Sequence, residues 1–357
     1  MHATSQSRAA PSWFAIALTG ALSLFATSLP APTRAASDTL TPRIYATNEA
    51  DGTLSVIDAR TRRVIDTIAL GKRPRGLAVS PDGRLLYVAL SGSPPAGPGV
   101  DESRLPPPDH AADGIGVVDL AALRQVRTLR GISDPEQLAL GVDGRHLYVA
   151  SEDSGKLVVF DTVTGRIEKQ LAVGDEPEGV GVSADRRWIC ATSEAAGTVA
   201  IIDAPSGRLL HTVGVGHRPR SCRFTRDGRR LYVPSEVDAT LSVVDAGRGK
   251  LLQTIKLPGV GVRPMGLVLS RDGATAYLTT GHGGTVLAVD LRAGRASASA
   301  RVGDRPWGLA MSPDGRWLYT ADGPSDTVSV VDAASMRTIA TVPVGAKPWG
   351  VAVGSPR

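Results

Sequence analysis

The sequence predicts an all-β fold: a seven-bladed β-propeller of four-stranded antiparallel blades, closed by its own C-terminal strand. Three observations carry this. A proline, a variable residue, commonly a glycine and then an apolar run recur at Pro74, Pro135, Pro177, Pro219, Pro264, Pro306 and Pro348, spaced by 61, 42, 42, 45, 42 and 42 residues. A fixed period in this range marks a repeat architecture. Each unit holds four short runs with period-two character, separated by turn residues, as strands do. Finally, the chain starts on the second strand of a unit and ends on a lone first strand, 349–353. The two ends can therefore complete one blade, which leaves no open edge at the closure.

Taken in order, residues 1–35 read as a cleaved export signal. Arg8 supplies the positive start, 13–29 is an uncharged and mostly apolar stretch, and Thr33-Arg34-Ala35 offers a small-x-small cleavage site. Pro30 and Pro32 favour cleavage over a membrane anchor, and no later run is long enough to span a bilayer. The mature protein is expected to be periplasmic or secreted, monomeric and free of the membrane. Residues 36–42 form a polar linker, and 43–357 a single domain.

The first unit supplies strands at 43–48, 53–58 and 64–68. The proline strand 75–80 follows, and Pro81-Asp82-Gly83 turns it into strand 85–90. Proline presets φ in such a turn and glycine permits a positive one. Equivalent innermost strands fall at 136–141, 178–183, 220–225, 265–270, 307–312 and 349–353. Third strands end at Asp58, Asp119, Asp161, Asp203, Asp245, Asp290 and Asp332. These aspartates, like Asp82 and its repeats Asp143, Asp185, Asp227, Asp272 and Asp314, suit turns because the carboxylate accepts from nearby backbone amides. The one large irregularity is a proline-rich insert at 91–113, without strand or helix periodicity. Loops of this length in a compact domain tend to be functional or disordered.

The net charge is +5, and loss of Arg8 and Arg34 lowers it to +3. No run of Lys or Arg concentrates it, so nothing argues for nucleic acid. Cys190 takes the column filled elsewhere by Tyr45, Tyr87, Tyr148, Tyr232, Tyr277 and Tyr319, and Cys222 takes a column of Leu and Val. Both columns read as core. Packed sheets lie about 10 Å apart, beyond the reach of most disulfides. Two buried thiols are the expectation, with a bridge the less favoured reading.

The loop entering strand one and the loop joining strands two and three emerge on the same face. The residue after each proline should ring the channel there: Arg75, Glu136, Glu178, Arg220, Met265, Trp307 and Trp349. The two–three loops add Glu49, Glu152, Glu194 and Glu236 at one equivalent position, with His282, Asp322 and the insert with His110. Two readings of this ring are open. In one, arginines clamp an acidic group while the tryptophans stack on a planar or apolar one. In the other, the charges pair with each other and the tryptophans plug the channel. Arg73, Arg218, Arg263 and Arg305 make the mouth look basic, which favours an anionic partner. No metal is assigned: His110, His217 and His282 come from separate loops with no ligand spacing. Nucleophile-elbow, Walker and calcium-loop motifs are absent from the sequence.

Leu147-Tyr148-Val149-Ala150-Ser151, Thr240-Leu241-Ser242-Val243-Val244-Asp245 and Ser312-Pro313-Asp314-Gly315 resemble the YVTN family of propellers over 43–353. Arg73-Pro74-Arg75-Gly76, Asp134-Pro135-Glu136, Glu176-Pro177-Glu178-Gly179, Thr192-Ser193-Glu194, Arg218-Pro219-Arg220 and Lys347-Pro348-Trp349-Gly350 are more specific. They are similar to exported propellers associated with pyrroloquinoline-quinone-dependent alcohol catabolism. That resemblance implies a seven-bladed periplasmic protein accompanying a quinoprotein dehydrogenase or c-type cytochrome. Because propeller folds host many functions, the favoured reading is a non-catalytic binding or scaffold protein that uses the channel-mouth face. It departs from the family at the insert 91–113. No cofactor is assigned, with haem and quinone left open. The alternative is a lactonase-like hydrolase, or a propeller that binds haem or another cofactor.

Overall fold

The computed structural model describes residues 42–95 and 104–355. The expected signal peptide, the linker as far as residue 41 and the middle of the insert lie outside the described residues. Seven four-stranded antiparallel sheets form a seven-bladed propeller. The first blade joins β1 (Arg43–Asn48), β2 (Thr53–Asp58) and β3 (Arg63–Ala69) to the last strand of the chain, β28 (Pro348–Gly354). Here Arg43 lies opposite Gly354, Tyr45 opposite Ala352 and Ala46 opposite Val351. The other blades follow in sequence, each opening on a proline segment: β4 (Pro74–Val79), β8 (Pro135–Leu140), β12 (Pro177–Val182), β16 (Arg223–Phe224), β20 (Leu267–Leu269) and β24 (Pro306–Met311).

The core sits between blades. The described residues form seven apolar clusters, one at each blade–blade contact. An open array of seven blades would have only six such contacts. The seventh packs Ile44, Ala46 and Val351 of the first blade against Ala310, Tyr319 and Val328 of the last. The tyrosine column is buried throughout, as expected. Burial pushes the Tyr148 and Tyr319 phenols up to about 12.

The glycine of the repeated motif is explained by how closely the inner strands approach. A Cβ on Gly350 would meet the Arg75 carbonyl oxygen at 2.5 Å, and one on Gly76 would meet that of Glu136 at 2.5 Å. A threonine spans the same seam. Gly350 N–H donates to Thr47 Oγ1 at 2.9 Å, and Thr47 Oγ1 donates to the Arg75 carbonyl at 2.9 Å. Gly266, Thr279 and the Trp307 carbonyl repeat this two blades away, at 2.8 and 2.7 Å. Where Ser221 replaces the glycine, its own hydroxyl donates to the Met265 carbonyl at 2.6 Å. Most innermost strands shift register just after their proline. At β16 and β20 that irregularity breaks the ladder, so both are shorter than the sequence suggested.

This convergence also corrects the expectation for the cysteines. Cys190 and Cys222 form a disulfide with Cα atoms 6.5 Å apart, joining the fourth blade to the fifth. The general sheet spacing does not apply near the axis, where blades draw together. A Cβ on Gly181 would lie 2.7 Å from the Cys222 carbonyl oxygen and 2.8 Å from Cys190 Sγ.

One buried polar position yields a stability prediction. In the first blade, Asn48 Nδ2 donates to Thr53 Oγ1 and Ser55 Oγ, both at 2.9 Å. The equivalent residue in the last blade is Asp322, which accepts from Ser329 Oγ at 2.6 Å, Thr320 Oγ1 at 2.7 Å and Thr327 Oγ1 at 3.3 Å. Burial raises its carboxyl above the ordinary value despite these donors. A raised acid binds its proton more tightly folded than unfolded, so its stabilising protonation is lost as pH climbs. Asp322→Asn should therefore raise the melting temperature at pH 7, with the gain shrinking as pH falls toward about 4. Thermal melts of both proteins across pH check this, and an equal or lower melting temperature at pH 7 would contradict it.

Candidate functional site

The loops that enter the innermost strands share an unusual backbone. The residue before the proline has positive φ in six of them: Arg73 (39°), Asp134 (37°), Glu176 (51°), Arg218 (54°), Arg305 (47°) and Lys347 (51°). Such a conformation is unfavourable for a residue with a Cβ and is held only where its surroundings fix it. Strain of this kind concentrates at functional sites, and here it recurs at the entry to six of the seven innermost strands.

The arginines and glutamates meet one another. On one wall, Arg75 Nη1 pairs with Glu136 Oε1 and lies 3.9 Å from Glu152 Oε2, while Arg73 Nε reaches Glu49 Oε1 at 3.0 Å. On the other, Arg220 pairs with Glu194 through Nη1, with Glu236 through Nε at 2.7 Å, and with Glu178 at 3.4 Å. Arg218 reaches Glu194 at 2.6 Å and Arg263 reaches Glu236 at 3.6 Å. Trp307 and Trp349 stack with centroids 5.8 Å apart. Guanidinium groups sit on both rings: Arg75 is 4.9 Å from the Trp349 centroid, and Arg220 and Arg305 are 5.4 and 5.0 Å from that of Trp307. The second sequence reading, internal pairing, describes these contacts.

A polar cavity of about 460 Å³ remains beside them, walled partly by Leu105, Pro106 and Pro108 of the insert. Of the residues expected at the mouth, Arg75, Glu178, Arg220 and Trp307 line it. Glu136, Glu194, Met265 and Trp349 are buried and do not line it. His282 is exposed on a short 3-10 turn, outside the lining. His110 instead pairs with Asp113 of its own insert and His217 with Asp238 of a neighbouring loop, each at 2.9 Å.

The mouth is not basic, as counting arginines suggested. Four guanidiniums face six carboxylates: Asp134, Glu152, Asp153, Asp175, Glu176 and Glu178. Asp134 and Glu176 occupy the same pre-proline position as Arg73 and Arg218, so the alternation was present in the repeat. Burial, and then the neighbouring Glu178 and Asp134 carboxylates against the pull of Arg75, lift Glu152 to about 7. Perturbation of this size inside a cleft marks a functional candidate.

Comparison with known proteins places the fold in familiar company. Residues 110–217 match the family model for the cytochrome D1 heme domain. No curated protein matches the chain in sequence. Among solved structures, hydrazine synthase of Kuenenia stuttgartiensis is 19% identical over 78% of this chain and 88% of its own, with TM-score 0.64. A candidate 6-phosphogluconolactonase of Bacteroides fragilis is 17% identical, covering 89% and 99%, with TM-score 0.69. The dihydro-heme d1 dehydrogenase NirN, in complex with DHE, is 20% identical, covering 91% and 77%, with TM-score 0.63. At these identities the likeness establishes the propeller fold.

Proposed function

We propose that the protein acts by binding, and that its axial cavity takes a small, multiply hydroxylated molecule bearing an acidic group. The observation that carries this reading is the set of four cavity-lining arginines, each held in place by neighbouring carboxylates. A guanidinium has five donors, so anchoring through one or two leaves others for a carboxylate ligand. The surplus acids can accept from ligand hydroxyls. Side chains already immobilised lose little entropy when a ligand binds. We further propose that the protein is exported and accessory to a quinoprotein dehydrogenase or c-type cytochrome, as its sequence resemblance implies. The disulfide suits an oxidising compartment.

The likeness to haem-binding propellers raises haem as a ligand, and the cavity does not fit it. Haem iron is held by His, Cys, Met or Tyr. None of these lines the cavity among the described residues, and 96–103 of the insert contain none.

Calorimetric titration with gluconate and glucono-lactone tests the proposal. Saturable binding weakened about tenfold to a hundredfold by Arg218→Ala is expected, the value of one charged hydrogen-bonded contact. Absence of binding to either probe overturns the ligand class. Turnover of the lactone that Glu178→Gln abolishes overturns the non-catalytic reading in favour of a hydrolase.

A further inference from the structure

We propose that Asp134, Glu136 and Glu152 form a binding site for a hard divalent cation on one wall of the mouth. Each can offer one carboxylate oxygen, and the three oxygens lie within 4.8 Å of one another. Calcium–oxygen bonds of about 2.3–2.6 Å put two ligands on one ion at most about 5 Å apart. All three residues belong to one rigid hairpin. Asp134 precedes β8, Glu136 is its second residue, and Glu152 follows β9 (His146–Ser151).

Acidic groups gather on many surfaces without holding an ion, and two features distinguish this one. Glu136 is completely buried; its Oε1 faces Arg75, and its Oε2 meets no hydrogen-bond donor among the described residues. A buried carboxylate oxygen left without a partner is costly, and a cation at this point would satisfy it. The second feature is the charge balance. Glu49, Asp134, Glu136 and Glu152 gather around Arg73 and Arg75, four carboxylates to two guanidiniums. On the facing wall, Glu178, Glu194 and Glu236 meet Arg218, Arg220 and Arg263, three to three. The first wall thus carries more carboxylates than guanidiniums, an excess that a bound cation would offset.

The donors are oxygen throughout, which selects calcium, magnesium or manganese over zinc and copper. Asp134 is held for the role. Its Oδ1 accepts from Ser91 Oγ and its backbone N–H donates to Asp113 Oδ2 at 3.2 Å, which leaves Oδ2 for the ion. With three protein carboxylates, water would fill the remaining positions. The affinity should resemble that of extracellular calcium modules, about 10⁻⁴–10⁻³ M.

Calorimetric titration of the mature chain with calcium chloride tests the site. One saturable event is expected, weakened at least about tenfold by Glu152→Gln and by Glu136→Gln, the loss of one charged ligand. Glu168→Gln, exposed on the outer strand β11 (Ile167–Ala172), should bind as the parent does. Glu152 is partly exposed, so its variant is expected to fold, and a thermal melt run alongside confirms it. Two results overturn the proposal: no saturable heat with calcium, magnesium or manganese up to about 10 mM, or unchanged binding in folded Glu152→Gln. Gluconate binding measured in chelator reports on the arginine cavity separately, so either reading can fail alone.

Discussion

A chain lacking residues 346–357 should lose its cooperative unfolding transition altogether. β28 is the innermost strand of the first blade, and without it β1 presents its backbone groups unpaired to the channel. The same strand seals two blade contacts. Val351 packs with Ala310 and Tyr319 of the last blade, and Gly350 lies against the Arg75 carbonyl of the second. An aromatic side chain the size of Trp349 buries about 150–250 Å², which at about 25 cal/mol/Å² is about 4–6 kcal/mol. Val351 adds about 1.5–3 kcal/mol. Together these approach the whole stability of a typical domain, about 5–15 kcal/mol, before any lost hydrogen bond is counted. The experiment is a circular-dichroism melt of the shortened chain beside the full one. A sharp transition within a few degrees of the parent would show that the ring does not need its closing strand.

The fold was legible because one signal is stated seven times. The proline and the aspartate closing each third strand recur in all seven units, the glycine in five and the tyrosine in six, so an ambiguity in one unit is resolved by another. Ring closure was legible too, since only a ring pairs a lone last strand with a blade that lacks its first. What the sequence hid depends on distances between blades. The Cys190–Cys222 bridge needed the inner strands to draw closer than stacked sheets do. The character of the mouth needed Asp134 and Glu176 weighed beside Arg73 and Arg218, and the repeat position alone did not show that all four face one cavity. Glu152 near neutrality arises from its surroundings, and no property of its repeat column announces it. His282 shares the column of loop residues expected there, but its backbone turns it to solvent.

Arg220→Met should destabilise the protein by about 3–5 kcal/mol at neutral pH, the usual effect of removing one partner from a buried ionic group. Arg220 is buried and serves Glu178, Glu194 and Glu236, which are also buried. In the parent, burial tends to raise the Glu236 carboxyl, but Arg220, Arg218 and Arg263 together hold it below its ordinary value. A lowered carboxyl adds stability that is present above its unfolded pKa and is lost as pH falls through the folded one. Without Arg220 the largest lowering influence is gone and burial prevails, so the same carboxyl becomes one whose protonation stabilises. The two proteins should therefore differ most above about pH 6 and converge toward about pH 4. Arg220→Lys should fall between them, because one ammonium cannot present the guanidinium fork to three carboxylates. Denaturant titrations of the three proteins at several pH values decide it. A deficit in Arg220→Met that is small, or that does not shrink in acid, would mean that the mouth is not held by its charges. The cost also bears on function: a site that spends buried ion pairs to fix its arginines gains rigid donors facing the cavity, and a purely structural plug could be built more stably from apolar side chains.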